Sequence, residues 1–293
     1  MDIIFTVLEI VAPVFLLACI GFGWVKYGWA YEIEFVTRIA MTLSVPALIF
    51  VALMKSQVAP DALSALFLAS LVCYGLLIVV FWLVLWLGGM DLRTNWAPLI
   101  FGNTGNLGLP LALFAFGDEG LSYAVIVFAV MAILSFSVGV WMVSGGGGFT
   151  KMIKEPIVWG TLLGGLFLVQ GWETPDWATN SLELLGQMAI PLMLITLGVS
   201  VARLQVGTLG RGAVLVALKT VLCVAVAWGV GRYFALDPVA FAVLVVQIST
   251  PVAVTSYLLA QKYGADADQV AGMVIISTLL SVITLPALLV VLI

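Results

Sequence analysis

The chain contains no histidine, and charged residues make up only 9% of its 293 positions. Histidine is the commonest general base and metal ligand in proteins. Without it, and with hardly an acid inside an apolar stretch, little remains from which to build a nucleophile with its base, a carboxylate pair or a metal centre. The expected class is therefore not an enzyme, and no cofactor or metal is implied. The three cysteines, Cys19, Cys73 and Cys223, all fall in apolar runs and form no CxxC pair, so they read as small hydrophobes. There is no basic patch for nucleic acid, and no polar stretch long enough for a soluble domain.

What the chain has instead is apolar length. Hydrophobic residues reach 63%, whereas charged residues alone make up about 25% of ordinary soluble domains. Met1-Asp2 runs straight into apolar residues with no basic leader, which predicts an uncleaved first span. Apolar windows of about 20 residues place ten spans: Ile3–Trp24, Phe35–Met54, Leu63–Leu87, Asn95–Phe116, Leu121–Val143, Ile157–Val169, Leu182–Val201, Ala213–Tyr233, Pro238–Ala260 and Gln269–Ile293. The sixth is the shortest, weakened by Gly160, Gly164, Gly165 and Gln170.

The formal charge of -4 matters less here than where the cations lie. Lys26, Arg38, Arg93, Lys151, Lys154, Arg203, Arg211 and Lys262 sit in or beside the odd-numbered loops. Lys55 and Arg232 sit beside the even ones. The positive-inside rule then predicts cytoplasmic odd loops and both termini outside. The expected setting is a multi-pass protein of the bacterial inner (plasma) membrane.

Two of the windows are interrupted. Phe101-Gly-Asn-Thr-Gly-Asn-Leu-Gly-Leu-Pro110 breaks the fourth, and Gln247-Ile-Ser-Thr-Pro251 with Thr255-Ser256 breaks the ninth. Lipid offers no hydrogen bonds, so unwound backbone at membrane depth survives only where protein buries it or a cavity lies beside it. Interrupted helices at corresponding places in two halves point to a transporter. The expected fold class is all-α membrane protein, with ten transmembrane helices in two inverted five-helix repeats whose broken helices 4 and 9 cross. Residues 1–143 form the first repeat, 144–156 a short cytoplasmic linker beginning Ser144-Gly-Gly-Gly-Gly148, and 157–293 the second. Gly117-Asp-Glu-Gly120 and Gly264-Ala-Asp-Ala-Asp268 each follow a broken span. Pro46 and Pro191 each fall mid-helix in the second span of their half.

A half-helix that starts at a break presents free N–H groups and the positive end of a dipole, which suits a carboxylate. Asn103, Thr104 and Asn106 on the first break, and Gln247, Ser249, Thr250, Thr255 and Ser256 on the second, can satisfy freed carbonyls or bind substrate oxygens. Leu107 and Pro110, Pro251, and Ser44 on the second span complete the candidate substrate-binding set. A hydroxyl in a membrane helix more often bonds its own backbone or a neighbouring helix, and amides cost more to bury, so Asn103 and Asn106 carry most of this expectation. Two ionisable residues inside spans are candidates for charge coupling. Glu9, near the outer end of the first span, reads as an interfacial carboxylate or a proton site. Lys219, about two turns from the cytoplasmic end of the eighth, can snorkel to the interface or attract an anion. Neither break carries an acid, which disfavours a cation antiporter. Sodium held by neutral oxygens is possible but not indicated.

The strings Asn103-Thr-Gly-Asn-Leu-Gly-Leu-Pro110, Phe116-Gly117, Thr250-Pro251, Leu259-Ala-Gln-Lys-Tyr-Gly264 and Ser277-Thr-Leu-Leu-Ser-Val-Ile-Thr-Leu-Pro286 resemble the auxin efflux carrier family over the whole chain. That family includes the plant PIN-formed auxin exporters and bacterial carriers described for malate or malonate. The resemblance implies a five-plus-five inverted repeat shared with bile acid symporters and sodium/proton antiporters. It also implies transport of small organic anions by an elevator-like motion, usually in a homodimer. The alternatives are a sodium-coupled symporter of the bile-acid type and a non-transporting membrane sensor, the latter disfavoured because the chain carries no cytoplasmic output domain. The short central loop departs from the plant members, so their regulatory functions are not carried over.

Overall fold

A computed structural model describes residues 3–145, 156–204 and 209–293. Among these the chain is helical, apart from its connections and one isolated antiparallel bridge between Gly102 and Val252. Helix α1 spans Ile3–Lys26, α2 Ile33–Met54 and α3 Pro60–Leu87. The short α4, Leu92–Ile100, stops at the first break, and the chain resumes as the long stretch Thr104–Ser144. Gly117 divides that stretch, because its φ of 64° and ψ of -153° leave the helical region. Residues 104–116 are α5 and 118–144 are α6. The second half holds α7, Pro156–Gln170; α8, Asp176–Arg203; α9, Leu209–Tyr233; α10, Pro238–Ile248; α11, Val254–Tyr263; and α12, Ala267–Leu292. The linker expected at 144–156 lies mostly outside the described residues.

Among the described residues, 7 helical stretches are long and apolar enough to cross a membrane, fewer than the ten windows expected. The difference has physical causes. α4 and α10 are the short first halves of interrupted segments, and Thr104–Ser144 runs through Gly117 as one stretch. α7, at 15 residues, is about 22 Å long, against a hydrocarbon core of roughly 30 Å. Helix α8 starts at Asp176 rather than Leu182, because Pro175 supplies an extended residue just before an amphipathic turn.

Acids mark the helix starts. Asp91 accepts from Arg93 N and Thr94 N at the head of α4, Asp237 from Ala240 N at the head of α10, and Asp266 from Gln269 N at the head of α12. Each satisfies amides that have no helical partner. These carboxylates therefore serve the backbone at the membrane surfaces.

The helices pack in two groups. In the first, a panel, α1 lies along α8, and α2 packs on α7 and α8. Its seams depend on residues without side chains: a Cβ at Gly21 would fall 2.0 Å from the carbonyl oxygen of Ile195, and one at Gly198 1.8 Å from that of Ala18. Lipid gives apolar helices no hydrophobic reason to associate, so close backbone approach of this kind holds them. The second group, a bundle, joins α3 to α6 with α9 to α12. Arg93 ties it together at one end: its Nε donates to Val143 O at 2.8 Å, and its guanidinium also reaches Tyr263 O. Beside it, Gln269 Nε2 donates to Asn95 Oδ1 at 2.9 Å. Outward faces are apolar, with Phe5, Leu16 and Ile20 exposed on α1 and Leu162, Leu166 and Val169 on α7, as a lipid-facing surface requires.

Gly21→Ala is expected to lower the thermal unfolding midpoint in detergent by overpacking the α1–α8 seam, at a cost of about 1–3 kcal/mol. Gly23→Ala on the same helix meets nothing within 4 Å and should leave the midpoint unchanged.

Candidate functional site

The two breaks cross and complete one another. Asn103 N donates to Pro251 O at 2.7 Å beside the Gly102–Val252 bridge. Several other groups of the second break also find partners. Val252 N donates to Ser277 Oγ at 3.0 Å, Thr250 Oγ1 donates to Gln247 O at 2.7 Å, and Lys219 Nζ donates to Thr250 O at 2.7 Å. Such accounting is obligatory for backbone buried away from water. Gly102 is required for the approach, since a Cβ there would lie 2.3 Å from Thr250 Oγ1. At Gly108 a Cβ would meet Gln247 Oε1 at 2.1 Å, so the glutamine side chain lies directly against the α5 backbone.

The breaks are shorter than the sequence suggests. Unwinding on the first covers Phe101 to Asn103, and residues Thr104–Gly108 already form a π turn. Pro110 follows that π turn within α5, as the second residue of the α-helical stretch that begins at Leu109. On the second break Gln247 ends α10, and Thr255 and Ser256 stand in the first turn of α11.

A cavity of about 90 Å³ adjoins the crossing. Gly102, Asn103, Gly105 and Asn106 contribute from the first break, and Ala253, Val254 and Thr255 from the second. The amides of Gly105 and Asn106 on α5, and of Val254 and Thr255 on α11, make no backbone hydrogen bond among the described residues. Two helix starts therefore present free donors to one space. The opposite wall comes from Thr37, Ala40 and Met41 of α2 and Met193, Thr196 and Ser200 of α8, with Ser135 and Phe136 of α6 alongside. No Asp, Glu, Lys or Arg is among the lining residues. Three π turns, Ala40–Ser44, Thr104–Gly108 and Ser135–Gly139, all place residues on this cavity. Such turns are rare and concentrate at functional sites.

Of the candidates named from sequence, Asn103, Asn106 and Thr255 line the cavity. Thr104, Gln247, Ser249 and Thr250 are buried at the crossing without reaching it, and Thr104 Oγ1, Ser249 Oγ, Asn103 Nδ2 and both side-chain polar atoms of Gln247 have no hydrogen-bond partner. Leu107 belongs to the apolar core, and Pro110, Pro251 and Ser256 are absent from the lining. Ser44 is buried on the α2 π turn, behind Ala40 and Met41. Glu9 is on an exposed face of α1 and lines neither cavity. Lys219 does not snorkel: it is 2% exposed, and its ammonium is turned inward onto the second break. Sequence reasoning passed over Thr37, Ser135, Thr196 and Ser200, because nothing in their spacing separates them from ordinary membrane hydroxyls. Pro46 follows the α2 π turn directly.

A second, wider cavity of about 1070 Å³ lies at the other end of the same panel–bundle junction. It takes the C-terminal part of α2 (Leu48 to Ala52), the N-terminal part of α8 (Leu182 to Gln187) and the starts of α6 and α10. Its rim carries the Lys55–Glu183 ion pair and a hydrogen bond from Tyr123 OH to Asp237 Oδ2 at 2.7 Å.

Interrupted helices crossing between cavities at opposite ends of a helical junction make the architecture of a membrane transporter. The chain belongs to the membrane transport protein family, the auxin efflux carrier family that its motifs resemble, with matches over residues 6–151 and 148–289. It is 28% identical over 292 residues to an uncharacterised transporter of Methanothermobacter thermautotrophicus, covering 95% of this chain and 96% of that one. An uncharacterised transporter of Methanocaldococcus jannaschii is 28% identical over 68% of this chain and 66% of its own. A Rhizobium meliloti protein, provisionally assigned as a malonate transporter, is 26% identical over 64% of this chain and 63% of its own.

Gly102→Ala is expected to separate the two breaks and lower the unfolding midpoint, again by about 1–3 kcal/mol. Gly75→Ala on α3, with nothing within 4 Å of the added carbon, is the matched control.

Proposed function

We propose that this protein is a carrier of small organic anions that binds a carboxylate at the crossing and moves it by alternating access. The observation that carries the reading is the pair of helix starts, α5 and α11, whose free amides meet at one small cavity with no charged lining. Free N–H groups and aligned dipoles favour an anion. The buried ammonium of Lys219, one carbonyl away on the second break, adds a positive field where little water screens it. At about 90 Å³ the cavity is far below the roughly 300–1,000 Å³ of drug-sized sites, which favours an acid of a few heavy atoms. The provisional malonate assignment of the Rhizobium relative is consistent with that size.

The same reading includes ten spans in two inverted halves. Its support is positional: Gly117 and Gly264 both take positive φ, 64° and 69°, directly after a broken helix, and the breaks meet antiparallel. The panel of α1, α2, α7 and α8 is the fixed scaffold, suited to a homodimer, and the bundle is the part that moves in an elevator-like stroke. Cations beside odd loops favour a cytoplasmic position for those loops. An inside-negative potential then drives anion export at about 2.3 kcal/mol per charge per 100 mV, so efflux needs no coupled ion. A sodium-coupled reading draws on one observation, the unpaired oxygens of Thr104, Gln247 and Ser249. It predicts ligand binding that requires sodium.

The test is thermal stabilisation of purified protein by a panel of short carboxylates, with and without sodium. A sodium-independent shift is expected for at least one acid. Asn103→Ala should weaken it about tenfold, the size of one hydrogen bond to a charged group. Lys219→Met should weaken it by at least as much. A shift seen only with sodium would favour the symporter, and no shift with any acid would defeat the anion reading.

A further inference from the structure

The crossing forms one wall of the cavity; the opposite wall indicates what hangs from the carboxylate. Many hydroxyls inside these helices satisfy themselves on the carbonyl one turn back. Ser70 donates to Leu66 O at 2.7 Å, Ser137 to Ile133 O at 2.6 Å, Thr161 to Ile157 O at 2.9 Å and Thr220 to Val216 O at 3.0 Å. The hydroxyls of Thr37, Ser135 and Ser200, which all line the cavity, make no hydrogen bond to any described residue. Ser200 is only 7% exposed as a residue, yet its unpartnered hydroxyl is not among the enclosed polar atoms of these helices, so it stays accessible beside the cavity that Ser200 lines. Thr196 joins them, its Oγ1 held 2.8 Å from Tyr31 OH. A hydroxyl that faces a cavity without a protein partner is free to bond a polar group bound there.

We infer that the substrate is a short monoanion with a neutral hydrogen-bonding group at its far end, such as a hydroxy acid or a half-protonated dicarboxylic acid. This rests on the carboxylate reading of the crossing and narrows it. A second full negative charge has no cation among the lining residues to meet it, and an ammonium has no carboxylate. Dianions and zwitterionic amino acids are therefore poor ligands, because a charge taken out of water without a partner is strongly disfavoured. The hydroxyls match a neutral donor or acceptor instead, since each can donate once and accept twice. The chain has no histidine, and burial raises the phenol of Tyr31 above its ordinary value, so it stays protonated. The wall itself does not change charge across the neutral range. This wall therefore adds no pH dependence of its own to binding.

The experiment compares binding of lactate, propionate and malonate to the full chain, by thermal stabilisation or isotope counterflow, as pH is lowered from neutrality. Lactate is expected to bind about tenfold more tightly than propionate, as one hydrogen bond allows, with little change over the pH range. Malonate affinity should rise as pH falls toward its second ionisation. Ser200→Ala and Thr37→Val should abolish the preference for lactate over propionate, and the ligand-free unfolding midpoint of each variant shows that it is folded. Equal binding of lactate and propionate, or malonate affinity that is level or rising with pH, would overturn the inference while leaving the carboxylate site standing. If none of the three acids binds, the inference falls together with the site reading.

Discussion

Everything in this molecule depends on two unwound segments satisfying one another in a place where water cannot. A helix broken inside hydrocarbon leaves amides and carbonyls that each cost several kcal/mol if unpaired. Here Asn103 N and Pro251 O, Val252 N and Ser277 Oγ, and Thr250 O and Lys219 Nζ close most of that deficit. Among the groups left over are the amides that begin α5 and α11, beside a cavity. The polar side-chain atoms of Thr104, Gln247 and Ser249 at the crossing also stay unpaired.

The helical groups around the crossing divide the mechanical work. The α1–α8 seam brings backbones into contact through Gly21 and Gly198, leaving the panel little freedom to repack. The bundle is locked separately, through Arg93 on the ends of α6 and α11 and through Asn95 with Gln269. Two bodies that are each tight internally and share a junction hollowed at both ends, by about 90 and 1070 Å³, are suited to moving against one another. The Lys55–Glu183 pair joins the end of α2 to α8 within the panel, so it does not tie the panel to the bundle.

Much of this was legible in the chain. The absence of histidine, the apolar windows and the two polar interruptions led to a helical membrane transporter, and the strings around Asn103 and Thr250 to its family. The places where sequence reasoning erred have definite causes. The glycines and proline from Gly105 to Pro110 look like a long unwound segment, yet a π turn absorbs most of them, because crowding by Phe128 and Gln247 depends on tertiary contacts. Lys219 was compatible with snorkelling because its distance from the helix end allows it. Which face of α9 turns inward is decided by packing against α12 and α10, and periodicity in an all-apolar helix does not report that. Thr37 and Ser200 gave no signal, since a cavity-facing hydroxyl and a self-bonded one are the same letter.

The central claim is that the carboxylate sits where α5 and α11 begin. Its most direct measurement is a structure of the protein with a short bromine-substituted carboxylate bound, locating the heavy atom and the carboxyl group. The account predicts density in the smaller cavity, with carboxyl oxygens within hydrogen-bond reach of Asn106 and of the first amides of both half-helices. Density confined to the wider cavity beside Lys55 and Glu183, with the crossing empty, would contradict it.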